Sequence, residues 1–213
     1  MNRFGAFLIS SQRSCSFHLH STFRFVPTQL FVSSQRIPSP DPLGASPVPN
    51  TGKVAIGNTQ WAKNSDGHEV VSWHVVKTDQ KITLGAATTA SCFAADHISG
   101  SVGWKVESGG MSVVFSGDTR YNPELVEASK GARLLSHEAL RTDEEGDYAK
   151  TRGHSTAGEA ARAAAQAGVA ELILTHLDSG YNDNPQPLLD DAKKHYSGPI
   201  TAATDLHQII VEG

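Results

Sequence analysis

Between His97 and His176 the chain reads, in order, Asp96-His97-Ile98, Ser116-Gly117-Asp118-Thr119, Ser136-His137-Glu138-Ala139, Gly153-His154-Ser155-Thr156 and Leu174-Thr175-His176-Leu177. Each cluster follows a short apolar run or sits in a loop beside one. Histidines and carboxylates at strand ends are good metal and acid–base groups. One such residue decides little, because Gly-Asp-Thr alone is a common strand-to-helix turn and a lone histidine after Leu-Thr is commonly a core residue. Five clusters in a fixed order, each at a strand end, carry much more weight.

Working outward from these clusters, the pattern predicts strands over 82–84 and 87–93, and a hairpin of 102–107 with 111–116. The hairpin turns at Ser108-Gly109-Gly110, where positive φ is cheap. Asn122-Pro123 predicts a helix start, with Asn as cap and Pro in the first turn. That helix is expected to run to about residue 130, with Gly131 closing it. Leu134-Leu135 opens a short buried strand. Residues 141–152 are charged and are expected to form a lid over the site. Thr156 and Glu159 make a capping box for an alanine-rich helix to Ala167, ended by Gly168. A continuous apolar run over 169–175 predicts a strand buried on both faces. A helix over 187–196 and strands over 200–203 and 208–211 complete the chain. Alternating strand and helix argue for an α/β layer, and such sheets bind ligands at the carboxyl ends of their strands. Asp118, Glu138 and His176 fall there.

Before residue 53 the composition changes. Residues 1–40 contain no Asp or Glu, many Ser, and the four arginines Arg3, Arg13, Arg24 and Arg36. This fits an organelle transit peptide, or an extension upstream of the domain. The first reading would place the protein in mitochondria; otherwise a cytoplasmic location is expected. Residues 37–52 hold five of the ten prolines and read as a linker. The expected organisation is a poorly ordered leader and linker over 1–52 and one domain over 53–213. The 213 residues suffice for one domain with a core. A net charge of −4 gives no global pull toward nucleic acid or anionic membrane, and no local basic patch is obvious. No apolar run approaches the ~20 residues that a membrane helix needs. Cys15 and Cys92 lack metal spacing.

The clusters, taken together over roughly 85–213, resemble the second half of the metallo-β-lactamase superfamily domain, in its ribonuclease Z-like branch. His97 with Val102-Gly103-Trp104, Ser116 to Thr119, Leu134 to Ala139, Gly153 to Thr156 and Leu172 to His176 carry the likeness. The resemblance implies an α/β fold of the four-layer αββα sandwich type, lacking much of its N-terminal half. It implies a hydrolase with two zinc ions, cleaving a phosphodiester or related ester by a metal-activated hydroxide. Carried over, His97 and His176 would each bind a metal and Asp118 would bridge both. His154 would be the catalytic charge stabiliser or acid, and Glu138 would orient it.

One motif departs from the family pattern. The family's His-x-His-x-Asp-His would supply most ligands, yet after His18 and His20 the chain has Thr22 and Phe23. His18, His20, His68 or His74 are the substitutes on offer. Three readings therefore stand: a zinc phosphodiesterase, an inactive remnant that needs a partner, or an arylsulfatase-like or cyclic-nucleotide phosphodiesterase-like hydrolase. The expected substrate is a small ester or phosphodiester, with RNA less supported and a homodimer left open. A half-domain is also expected to leave part of its sheet and one helix layer uncovered, exposing apolar surface.

Overall fold

The computed structural model describes residues 78–84, 87–204 and 209–211 in full, and the backbone of strands 7–9, 16–18, 29–31, 53–55, 75–77 and 207–208. The linker over 37–52, His20, His68, His74 and the side chain of His18 lie outside these residues. Before the main sheet, Ser16–His18 pairs with Gln29–Phe31 and Lys53–Ala55 with Val75–Lys77, while Phe7–Ile9 pairs with His207–Ile209. These three-residue strands are too short for an alternating pattern to show in sequence.

Seven strands form the sheet that positions the site: β1 (Ile82–Thr83), β2 (Thr88–Ala94), β3 (Val102–Ser108), β4 (Met111–Phe115), β5 (Leu134–Glu138), β6 (Leu172–Thr175) and β7 (Ile200–Ala202). They lie in sequence order across the sheet. The first four are antiparallel neighbours, and from β4 to β7 every pairing is parallel. The change has a local cause. Short connections without a helix join the early strands, whereas helices α1 (Pro123–Ala128), α2 (Gly146–Thr151), α3 (Ala157–Ala167) and α4 (Gln186–Lys193) make the later crossovers.

The parallel strands are buried on both faces. Val114, Leu135, Leu172 and Leu174 pack under the helices with Leu125, Leu188 and the alanines of α3. Val113, Phe115, Leu134 and Ile173 face the other way and join Ala90, Cys92, Trp104 and Val106. Among the described residues these strands are covered on both faces, against the expectation of uncovered sheet. Trp104, Val113 and Ile173 are at most 2% exposed. No helix among the described residues is long and apolar enough to cross a membrane.

Capping chemistry sets the helix ends. The Asn122 side chain accepts from the Leu125 amide at 2.9 Å, and Thr156 and Glu159 form both halves of the capping box on α3. The first helix ends at Ala128 rather than near residue 130, with Ser129 as its C-cap. The strand expected from 169 begins at Leu172 instead. Gly168 takes φ 64° to end α3, and the Val169 amide turns back to the Ala164 carbonyl at 3.2 Å. Val169 thus belongs to the helix stop.

The lid expectation also gives way. Residues 143–151 are a 3₁₀ turn (Asp143–Glu145) followed by α2, clamped to the helix layer. Asp143 accepts from Arg162 Nη1 at 2.7 Å and from the Thr156 hydroxyl, and its own amide donates to Asp191 at 2.7 Å. Buried Asp191 also accepts from the Gly158 amide at 3.2 Å. Charged residues that read as a mobile loop in sequence are here satisfied by partners on α3 and α4.

Candidate metal centre

Four successive segments converge at the carboxyl ends of β4, β5 and β6. Beyond β4, Gly117 turns the chain at φ 62° and Asp118 follows. Glu138 is the last residue of β5, and His176 comes directly after β6. His176 itself has φ 53°, a conformation uncommon for a non-glycine residue. Flanking bonds over-determine it. The Ala139 amide donates to the Thr175 carbonyl at 2.8 Å, and the Asp178 amide donates to the Leu140 carbonyl at 3.1 Å. Arg141 adds an ion pair to Asp178 at 2.9 Å. Such strain persists where surroundings hold it, and it clusters at functional sites.

His154 enters from the loop between α2 and α3. Asp118, His154 and His176 each bring one donor atom, and these donors lie within 4.8 Å of one another. The Asp118 Oδ1 to His176 Nε2 distance is 3.9 Å. The His154 ring centre lies 5.0 Å from that of His176 and 4.9 Å from that of His97. His97 is thus beside the cluster without being one of its three donors. Its Nδ1 donates to the Gly153 carbonyl at 3.0 Å, which leaves Nε2 with a lone pair.

Glu138 lies beneath His154. Its oxygens are 3.0 and 3.1 Å from His154 Nδ1, and they also accept from the Thr119 and Ser155 amides. At 1% exposure the carboxyl is nearly dry. Burial pushes its pKa well above the usual carboxylate range, opposed by those amides and by His176. Burial also lowers the pKa of His154; Asp118 opposes this, and the charges of Arg120 and Arg152 add to it. A neutral His154 with its proton on Nδ1 toward Glu138 presents an unprotonated Nε2, the form a metal needs. His137, the other histidine of β5, is fully buried on the far side of that strand and bonds the Glu138 carbonyl through Nδ1 at 2.7 Å.

The structure therefore brings together all five sequence-derived site residues with one rearrangement. His154 supplies a donor, and His97 stands one ring further out. Sequence reasoning missed Thr119 and Ser155, which act through backbone amides, and Gly153. No side-chain pattern marks an amide donor. Gly153 could have been flagged as a glycine directly before a candidate histidine. A Cβ there would collide with Nδ1 of the His97 ring.

Comparison with known proteins adds the family. The β-lactamase superfamily domain matches residues 50–177. Ribonuclease Z of Myxococcus xanthus is 48% identical over 96 residues, which are 45% of this chain and 31% of that protein. Ribonuclease Z of Methanosarcina acetivorans is 45% identical over 93 residues, 44% of this chain and 30% of that protein. This chain thus spans under a third of the length of these curated relatives. Among solved structures, the metallo-β-lactamase fold protein YhfI of Bacillus subtilis aligns with TM-score 0.58 and 29% identity, covering 63% of this chain and 54% of that one. Human tRNase Z, short form, aligns with TM-score 0.51 and 26% identity, covering 62% and 47%.

Proposed function

This chain belongs to the β-lactamase superfamily, and on that premise we propose that it carries the catalytic end of a zinc-dependent phosphodiesterase of the ribonuclease Z kind. The observation behind the reading is the convergence of Asp118, His154 and His176 within 4.8 Å. Two imidazoles and a carboxylate are a zinc donor set, and three protein ligands leave a fourth position open. A zinc ion held there would supply Lewis acidity toward a phosphoryl oxygen and lower the pKa of a water.

The chain's own residues do the rest. Asp118 offsets positive charge at the cluster. Glu138 fixes the tautomer and the ring plane of His154, and the Thr119 and Ser155 amides hold Glu138 in turn. His97, whose Nδ1 bonds the Gly153 carbonyl, stands beside the cluster, where it is suited to hold a second ion. Likeness to proteins named ribonuclease Z makes RNA the favoured substrate, ahead of sulfate esters.

Zinc content, measured by elemental analysis of protein purified without added metal, is the test. The expected result is about one zinc ion per chain or more, with Asp118→Asn, His154→Ala and His176→Ala each losing most of it. Retained zinc in His154→Ala would return His154 to the role of charge stabiliser. Zinc near zero in the unmutated protein would overturn the reading. The absence of the His-x-His-x-Asp-His motif favours that outcome's companion, a non-catalytic chain completed by a partner.

A further inference from the structure

A net charge of −4 gives the chain no overall attraction for a polyanion. The fold nevertheless brings Arg120 and Arg152 close enough to the donor cluster for their charges to act on His154, and sets Arg141 beside Arg152 on the Tyr148 ring. Arg120 is two residues after Asp118, Arg141 three after Glu138, and Arg152 two before His154. Two of them are committed. Arg141 pairs with Glu145 and with Asp178. Arg120 pairs with Asp96 at 3.2 Å, and its Nε donates to the Lys150 carbonyl at 2.8 Å, which ties the Asp118 loop to the end of α2.

Arg152 is different. It is exposed, and no carboxylate among the described residues forms an ion pair with it. Yet it is not loose. Its guanidinium carbon lies 3.7 Å from the centre of the Tyr148 ring, which Arg141 also covers at 4.4 Å. Its backbone is locked to the site: the Arg152 amide donates to the Ala149 carbonyl at 3.1 Å, and the His154 amide to the same carbonyl at 3.0 Å. Holding a guanidinium on an aromatic ring removes rotamer freedom before any ligand arrives. The flat fork that remains matches two phosphate oxygens at once.

We propose that Arg152, held on Tyr148, docks a phosphate of an oligoribonucleotide next to the phosphodiester that meets Asp118, His154 and His176. The proposal rests on the functional reading above for the identity of the substrate. It adds the contact that would grip RNA in a chain of acidic balance.

The test is a fluorescence-anisotropy titration of the full chain with a labelled phosphorothioate oligoribonucleotide of about ten nucleotides, between about 50 and 200 mM salt. Arg152→Gln is expected to weaken binding about tenfold for any base sequence and to lower the salt slope by about 1. Arg152→Lys should recover part of the loss. Tyr148→Phe should bind as the unmutated protein does, and Tyr148→Ala should weaken binding. Arg133→Gln removes an exposed charge from the opposite end of β5, where it faces Glu171 at 3.9 Å, and should have no effect. Unaltered binding in Arg152→Gln, an equal loss in Arg133→Gln, or no binding by the unmutated protein would each overturn the dock. Binding that depends on Arg152 in a protein that cleaves no phosphodiester would leave the dock standing and overturn the functional reading instead.

Discussion

His154 offers two different nitrogens. Nδ1 meets a carboxylate that is 1% exposed, which orients the ring and leaves Nε2 for the cluster. Glu138→Gln tests this arrangement. The two carboxylate oxygens face the Thr119 and Ser155 amides, so a Gln NH₂ group would oppose one of those donors. A lost buried bond of this kind costs about 1–3 kcal/mol, and zinc affinity should fall about 10- to 100-fold. Urea unfolding and competition with a zinc chelator measure the two effects separately. Gly153 is the second residue of this kind. It has φ +87°, and the His97 ring stands where an added methyl group would go, so Gly153→Ala must both strain the backbone and displace His97. A destabilisation of about 1–3 kcal/mol is expected. An unchanged urea midpoint would show that the loop relaxes freely.

At the scale of elements, the segment bearing α2 buries Ala149 and is pinned by Asp143, Thr156, Arg162 and Asp191. Thr156 serves twice, capping α3 and bonding Asp143. Thr156→Ala should cost about 1–2 kcal/mol in chemical denaturation, and Thr156→Ser much less. Arg162 holds the Asp143 carboxyl below its ordinary pKa, chiefly by hydrogen bonding. A depressed carboxyl contributes stability that is complete above its unfolded pKa and is lost as pH falls through the folded one. Protection of the α2 amides, taken relative to the intrinsic exchange rate at each pH, should therefore fall under acid, and Asp143→Asn should remove that dependence. Protection in α2 that ignores both the pH and the variant would dismiss the clamp.

Over the whole molecule, the fully buried His137 is the clearest source of a pH response near neutrality. Burial lowers its pKa from 6.5 to about 4. The folded state excludes a proton that the unfolded chain takes up below about 6.5, so stability should fall as pH drops from there toward about 4. The span corresponds to roughly 3 kcal/mol at most. Unfolding free energies of the unmutated protein and of His137→Phe, compared at about pH 7.5 and 5, should differ in slope. Parallel pH dependences would assign the response to other groups.

What could be read from the chain alone were the features written within a few residues of each other. The cap at Asn122, the box at Thr156 and Glu159, the stop at Gly168 and the apolar runs of β4, β5 and β6 each depend on local spacing. They set the order of elements, and so placed Asp118, Glu138 and His176 at the carboxyl ends of parallel strands. Tertiary structure decided which side chains meet. The Asp143–Asp191 bond joins positions 48 apart, and it turned a charged segment that read as a lid into a clamp. The distance between His154 and His176, the outer place of His97 and the arginines around the cluster come from strand register and loop closure. None of these has a signature in local sequence, because a contact between distant residues depends on every turn that brings them together.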